Sequence, residues 1–122
     1  MHKENKVIGN YGEELAKKHL EESGYTIIDR NFRCKTGEID IIAMKHKIIT
    51  FVEVKSRYNT FYGSPCEAVN YIKKLKIYKT AQFYIIKNSL INYDFKFDVI
   101  EVVFNYNNNN NTLNHIENAF QM

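Results

Sequence analysis

With 122 residues the chain is long enough for one domain with a real core and too short for two ordinary ones, so a single domain over residues 1–122 is expected. Its 17 Lys and Arg against 14 Asp and Glu leave a formal charge of +3, which permits nucleic-acid binding without demanding it. The nine Tyr and eight Phe suit a packed core first and stacking on bases second.

The polar start from Met1 to Lys6 is followed by only Val7-Ile8 before Gly9, which is no secretory apolar region. No apolar run reaches transmembrane length, so no membrane association and a cytoplasmic location are expected. Cys34 and Cys66 lack metal-type spacing and are read as reduced thiols.

Asn10 to Ser23 has a helical period, with Ile8, Tyr11, Gly12, Leu15, Ala16, His19 and Leu20 on one side, and Gly24 placed as a C-cap glycine. Glu14 faces outward, whereas Glu13 lies at the border of the apolar stripe beside Leu20. Taken alone, Glu13 reads as an acid favoured by the helix N-terminal dipole. Tyr25 to Arg33 follows as a first strand, and Arg30, Arg33 and Lys35 make a basic, solvated edge of it.

Gly37 to Met44 and Ile48 to Lys55 read as two more strands joined by a short polar break. Both are apolar enough for central strands, yet Asp40, Glu53 and Lys55 are set into them. Alternation puts Glu53 and Lys55 on one face with Ile49 and Phe51, and Thr50, Val52 and Val54 on the other. If His46 and Lys47 are the central turn residues, Asp40 falls opposite Glu53 and Glu38 opposite Lys55. Two carboxylates about 4 Å apart repel by about 4 kcal/mol at an effective dielectric of about 20. A shared proton, Lys55, or a divalent cation with hard oxygen ligands would each offset that. Mg²⁺ takes only one or two carboxylates beside waters and phosphate oxygens, so Asp40 and Glu53 would suffice for it.

After Lys55 comes a long loop through Arg57, Tyr58, Phe61, Tyr62 and Gly63, of the kind that is often functional. Ser64, Pro65 and Glu67 have the form of a helix start. Ala68, Val69, Ile72, Leu75, Tyr78, Gln82 and Ile85 continue an apolar stripe to about Lys87, with Asn70 as a candidate break. Lys73, Lys74, Lys76 and Lys79 are read as a solvated helix face. A last long strand, Asp94 to Phe104, puts Phe95, Phe97 and Val99 on one face and Asp98, Ile100 and Val102 on the other. The Asn run 107–111 is a low-complexity loop, and Leu113 to Phe120 is expected to dock back on the sheet, with His115 structural rather than a ligand. The order predicts a mixed α/β sheet with Asp40, Glu53 and Lys55 at one edge of the core.

A carboxylate, one hairpin, then Glu-x-Lys on the next strand resembles the PD-(D/E)XK nuclease superfamily, read here as Asp40, then Glu53-Val54-Lys55, with Glu13 on the preceding helix. Ile39 stands where the superfamily's nominal first letter asks for Pro. More of the chain resembles the YraN-like family of small bacterial proteins, which is similar to archaeal Holliday-junction resolvases. The matching stretches are Gly9 to Glu13, Gly24-Tyr25 through Arg33, Gly37 to Ile42, Phe51 to Lys55 with Arg57, Gly63 with Pro65 and Glu67 to Val69, Phe97 to Ile100, and Asn118 to Phe120.

The resemblance implies a restriction-endonuclease-like fold, a mixed central sheet flanked by helices. It implies that Asp40, Glu53 and the carbonyl of Val54 bind Mg²⁺ or Mn²⁺, with Glu13 completing the site through a water or a second ion. Lys55 would orient the nucleophile and offset charge on the phosphate. The expected reaction is phosphodiester hydrolysis in DNA, branched or junction DNA included, and symmetric cutting of a four-way junction would need a homodimer. The alternative expectation is a non-catalytic nucleic-acid-binding module with the same fold.

Overall fold

The computed structural model of the chain describes residues 2–58, 70–105 and 110–121, with side chains from residue 8 onward. The helix start expected at Ser64, Pro65 and Glu67, the loop aromatics Phe61 and Tyr62, Cys66, and the first three residues of the Asn run lie outside the described residues.

The elements run α1 (His2–Glu22), β1 (Thr26–Cys34), β2 (Gly37–Lys45), β3 (Ile48–Tyr58), α2 (Tyr71–Lys87), β4 (Asp94–Phe104) and β5 (Asn111–Phe120). Among the described residues the strands form one five-stranded sheet in the order β1-β2-β3-β4-β5. Only β3 and β4 run parallel; the other neighbours are antiparallel. A parallel pair needs a crossover, and α2 lies within it. This is the mixed sheet flanked by helices that the restriction-endonuclease-like expectation requires.

Each face of the sheet buries one helix. On one side Ala16 and Leu20 of α1 pack with Ile41, Ala43, Val52, Ile100 and Val102. On the other, Ile77, Ala81, Tyr84 and Ile85 of α2 pack with Ile42, Ile49, Phe51, Phe97, Val99 and Phe120. The alternation read for β3 and β4 is therefore the observed one. Each fully buried side chain of this size contributes about 1.5–3 kcal/mol relative to exposure.

α1 starts eight residues before the expected Asn10, at His2, and its end is as expected. Gly24 takes φ 93°, and the Tyr25 N–H reaches back to the Leu20 carbonyl at 2.9 Å, closing the helix with a left-handed glycine. Its other glycine on the buried stripe, Gly12, lets the helix lie directly on β3. A Cβ there would clash with the Ser56 side chain.

The stripe expected for α2 is rotated. Ile85 is buried and Tyr78 packs on the core as expected, but Ile72 and Gln82 are exposed, and Ile77, Thr80, Ala81 and Tyr84 take the buried positions. Several faces of this helix are apolar, and the sheet takes the one carrying small Thr80 and Ala81, which allow close approach. Asn70 is the N-cap, its side chain accepting from the Lys73 N–H at 2.8 Å.

The tail docks as β5, an edge strand that includes Asn111 from the Asn run. Fully buried Asp98 holds it: one carboxylate oxygen accepts the Asn118 N–H at 3.0 Å, and the other faces His115 Nε2 at 2.7 Å. Lys96 Nζ stands 3.4 Å from Asp98, and His115 Nδ1 meets His19 Nε2 of α1 at 3.1 Å. His115 is thus structural, as expected.

Two substitutions test this frame. Gly12→Ala should destabilise by about 1–3 kcal/mol in urea denaturation, because overpacking against Ser56 outweighs the propensity gain of about 1 kcal/mol. Asp98→Ala should remove about 1–3 kcal/mol and raise amide exchange in β5 ahead of β1, since it leaves the Asn118 N–H and His115 Nε2 without their acceptor, while Lys96 keeps Glu117 at 2.8 Å.

Candidate active site

The β2–β3 hairpin closes as the sequence requires. Lys45 pairs with Ile48, leaving His46 (φ 53°) and Lys47 (φ 63°) as the turn, the two-residue form with both central residues left-handed. Pairing then runs to Ile41 opposite Val52. One step further would set Asp40 opposite Glu53, and there the ladder gives way. The Val54 N–H donates to Asp40 Oδ2 at 2.8 Å, so a side chain takes the place of a strand carbonyl.

A slip in β2 accompanies this. Ile39 and Ile42 both pack on the α2 side, while Ile41 packs on the α1 side, so alternation breaks at Asp40. On neighbouring β1, Asn31 takes φ 52°, and Arg30 pairs with Glu14 of α1 at 2.8 Å while Phe32 packs toward α2. Both strands therefore change face at the same level. Asp40 is left in the gap, aimed at β3 rather than at either helix face.

Glu53 lies on the α2 side of β3, and its partner is Lys73 in the first turn of α2, with Nζ 2.7 Å from Oε1. Lys73 keeps the exposure expected of the α2 lysines and in addition reaches across to the acidic strand. A crossover helix brings this residue over the acidic strand, and no spacing in the sequence marks that. Lys55 follows Glu53 on the same face, beside Glu101 in the β3–β4 register. Glu101, nearly buried, pairs with Arg57 at 3.3 Å. Glu38 pairs with Arg33 at 2.8 Å.

Burial first, then the charge of Glu53, raises the Asp40 carboxyl to about 7, with Glu13 and Glu38 adding to the rise and the Val54 N–H opposing it. Glu13 is itself raised, chiefly by burial, while Arg30 and a hydrogen bond from Asn31 pull it back. For Lys73, burial alone would lower the pKa, but Glu53 and then Asp40 carry it above its ordinary value. The centre of the arrangement is thus Asp40 and Glu53, with Glu13 acting on it through its charge. Among the described residues no three His, Cys, Asp or Glu side chains form a metal cage. Two carboxylates are what an ion keeping its waters and a substrate's phosphate oxygens needs from a protein.

The family described as Uncharacterised protein family UPF0102 matches residues 12–102, which runs from within α1 to within β4 and includes the whole of this centre. The chain belongs to the UPF0102 family. A UPF0102 protein of Clostridium acetobutylicum is 62% identical over 122 residues, covering 100% of both chains. UPF0102 proteins of Clostridium tetani and Clostridium kluyveri are 53% and 52% identical over 122 residues, again with 100% of both chains covered. This agrees with the YraN-like resemblance read from the motifs. The UPF0102 chain has no helix among its described residues long and apolar enough to cross a membrane.

The raised Asp40 gives a pH test. Its proton is held more tightly in the folded chain than in the unfolded one. That advantage is complete below the ordinary value of 3.8 and is lost as pH rises through about 7. In chelator, Asp40→Asn should therefore gain stability over wild type between those limits, by up to about 4 kcal/mol at the alkaline end. Urea titrations at several pH values measure it, and a pH-independent difference would count against the buried acid pair.

Proposed function

We propose that this UPF0102 protein is a metal-dependent endonuclease that hydrolyses phosphodiester bonds in DNA, branched or junction DNA included. The observation that carries the reading is the meeting of Asp40 and Glu53 where β2 and β3 part, with Lys55 next along the same face of β3 as Glu53. Like charges with a raised carboxyl at a strand opening fit hard-cation binding better than fold stability, which they oppose.

In this reading Asp40, Glu53 and the Val54 carbonyl hold Mg²⁺ or Mn²⁺, with Glu13 reaching the site through a water or a second ion. A bound ion would supply a more acidic water and offset charge at the leaving oxygen. Asp40 keeps its position through the Val54 N–H, which fixes one carboxylate oxygen and leaves the other for the ion. Lys55 orients the attacking water and offsets charge on the phosphate. DNA reaches the site by its backbone, with lysines of α2 and arginines of β1 as phosphate contacts. Two copies acting together would cut a four-way junction symmetrically.

Incubation with branched, flapped and linear DNA in Mg²⁺ or Mn²⁺ tests the proposal. Wild type should cut at least one substrate, and Glu53→Ala or Lys55→Ala should slow it by about a hundredfold or more. Cutting that survives both substitutions would refute it. Salt-dependent DNA binding with neither cleavage nor Mn²⁺ binding would point instead to a non-catalytic nucleic-acid-binding module of the same fold.

A further inference from the structure

Lys73 meets Glu53 at 2.7 Å, and the environments of the two ends differ: the Glu53 side chain is 11% exposed, the Lys73 side chain 49%. The carboxylate is fixed in the sheet, whereas the ammonium reaches it from the solvent side. Asp40 is the second acidic charge acting on that ammonium. The root of the lysine is held, since its backbone N–H is bound by the Asn70 cap. Four rotatable side-chain bonds lie beyond that fixed point, so the head can leave without any rearrangement of α2.

We infer that Lys73 is a built-in counter-cation of the Asp40–Glu53 pair, whose head group occupies the acidic centre in the metal-free protein and is displaced when a divalent cation loads. The inference rests on the nuclease reading above and concerns the regulation of the same centre. Formal charge supports the exchange. With Asp40 ionised, the state that an arriving cation favours, two carboxylates and one ammonium leave a net negative charge that attracts a divalent cation; two carboxylates with that cation are neutral, and the ammonium no longer has reason to stay. The first turn of α2 contains no acidic residue to recapture it. A released Lys73, beside Lys74 and Lys76, then finds its next anionic partner in a phosphate of the incoming nucleic acid. Loading the metal and freeing a phosphate contact become one step, in which one ionic contact breaks and another forms with no covalent change.

The test is calorimetric titration of Mn²⁺ into wild type, Lys73→Met, Lys73→Arg and Asp40→Ala at low ionic strength, with thermal melts in chelator and in Mn²⁺. Removing the competing cation should tighten Mn²⁺ binding about fivefold in Lys73→Met, as expected for a half-exposed pair, and should enlarge its melting shift on adding Mn²⁺. Lys73→Arg should stay near wild type, because a cation is retained. A purely structural lysine would alter the chelator melt while leaving Mn²⁺ affinity unmoved. Equal or weaker Mn²⁺ binding by Lys73→Met, with wild type binding and Asp40→Ala not, overturns the lysine's role alone. Absence of Mn²⁺ binding in wild type and Lys73→Met alike overturns the nuclease reading and this inference with it.

Discussion

Asp40 and Glu53 carry like charge at the place where β2 and β3 part, and burial removes much of the water that would soften their repulsion. Three things in the chain answer it. The Asp40 carboxyl is pushed toward the proton, to about 7. The Val54 N–H is given to that carboxyl instead of to a strand carbonyl. An ammonium arrives from α2 to meet Glu53. Each comes from a different part of the chain, so the centre exists only when the fold does.

The topology makes this meeting possible. Antiparallel β2 and β3 bring the acids together locally through a two-residue turn. The parallel β3–β4 pair then forces the chain across the sheet, and α2 packs chiefly on β2, from where Lys73 of its first turn reaches Glu53 of β3. Opening a ladder at a buried acid is a local loss, and it persists because both helices clamp the surrounding strands. Gly12 seats α1 against Ser56, Thr80 and Ala81 seat α2, and Asp98 ties β5 to β4. A rigid frame of this kind lets a charged opening remain open.

Much of this was legible in the residues because it follows local rules. The His46-Lys47 turn, the faces of β3 and β4, the Gly24 cap and the convergence of Asp40 with Glu53 all come from alternation and turn chemistry. The face change at Asn31 and Asp40 was not, since it needs two neighbouring strands to slip together. The phase of α2 was misread because its exposed Ile72, Phe83 and Ile86 are as apolar as its buried residues. Lys73 and the Asp98, His115 and His19 contacts depend on long-range pairing. Nothing in their sequence spacing announces it.

The slips in the strands also bear on how copies of the chain meet. β1 shifts register between Ile27 and Asp29 and turns left-handed at Asn31; the β4–β5 ladder shifts between Phe97 and Val99, and Asn118 is left-handed. These are the two rims of the sheet. Neither presents a straight row of backbone donors and acceptors to a neighbouring strand. Zipping two sheets into one continuous ribbon along the full length of either rim is therefore disfavoured.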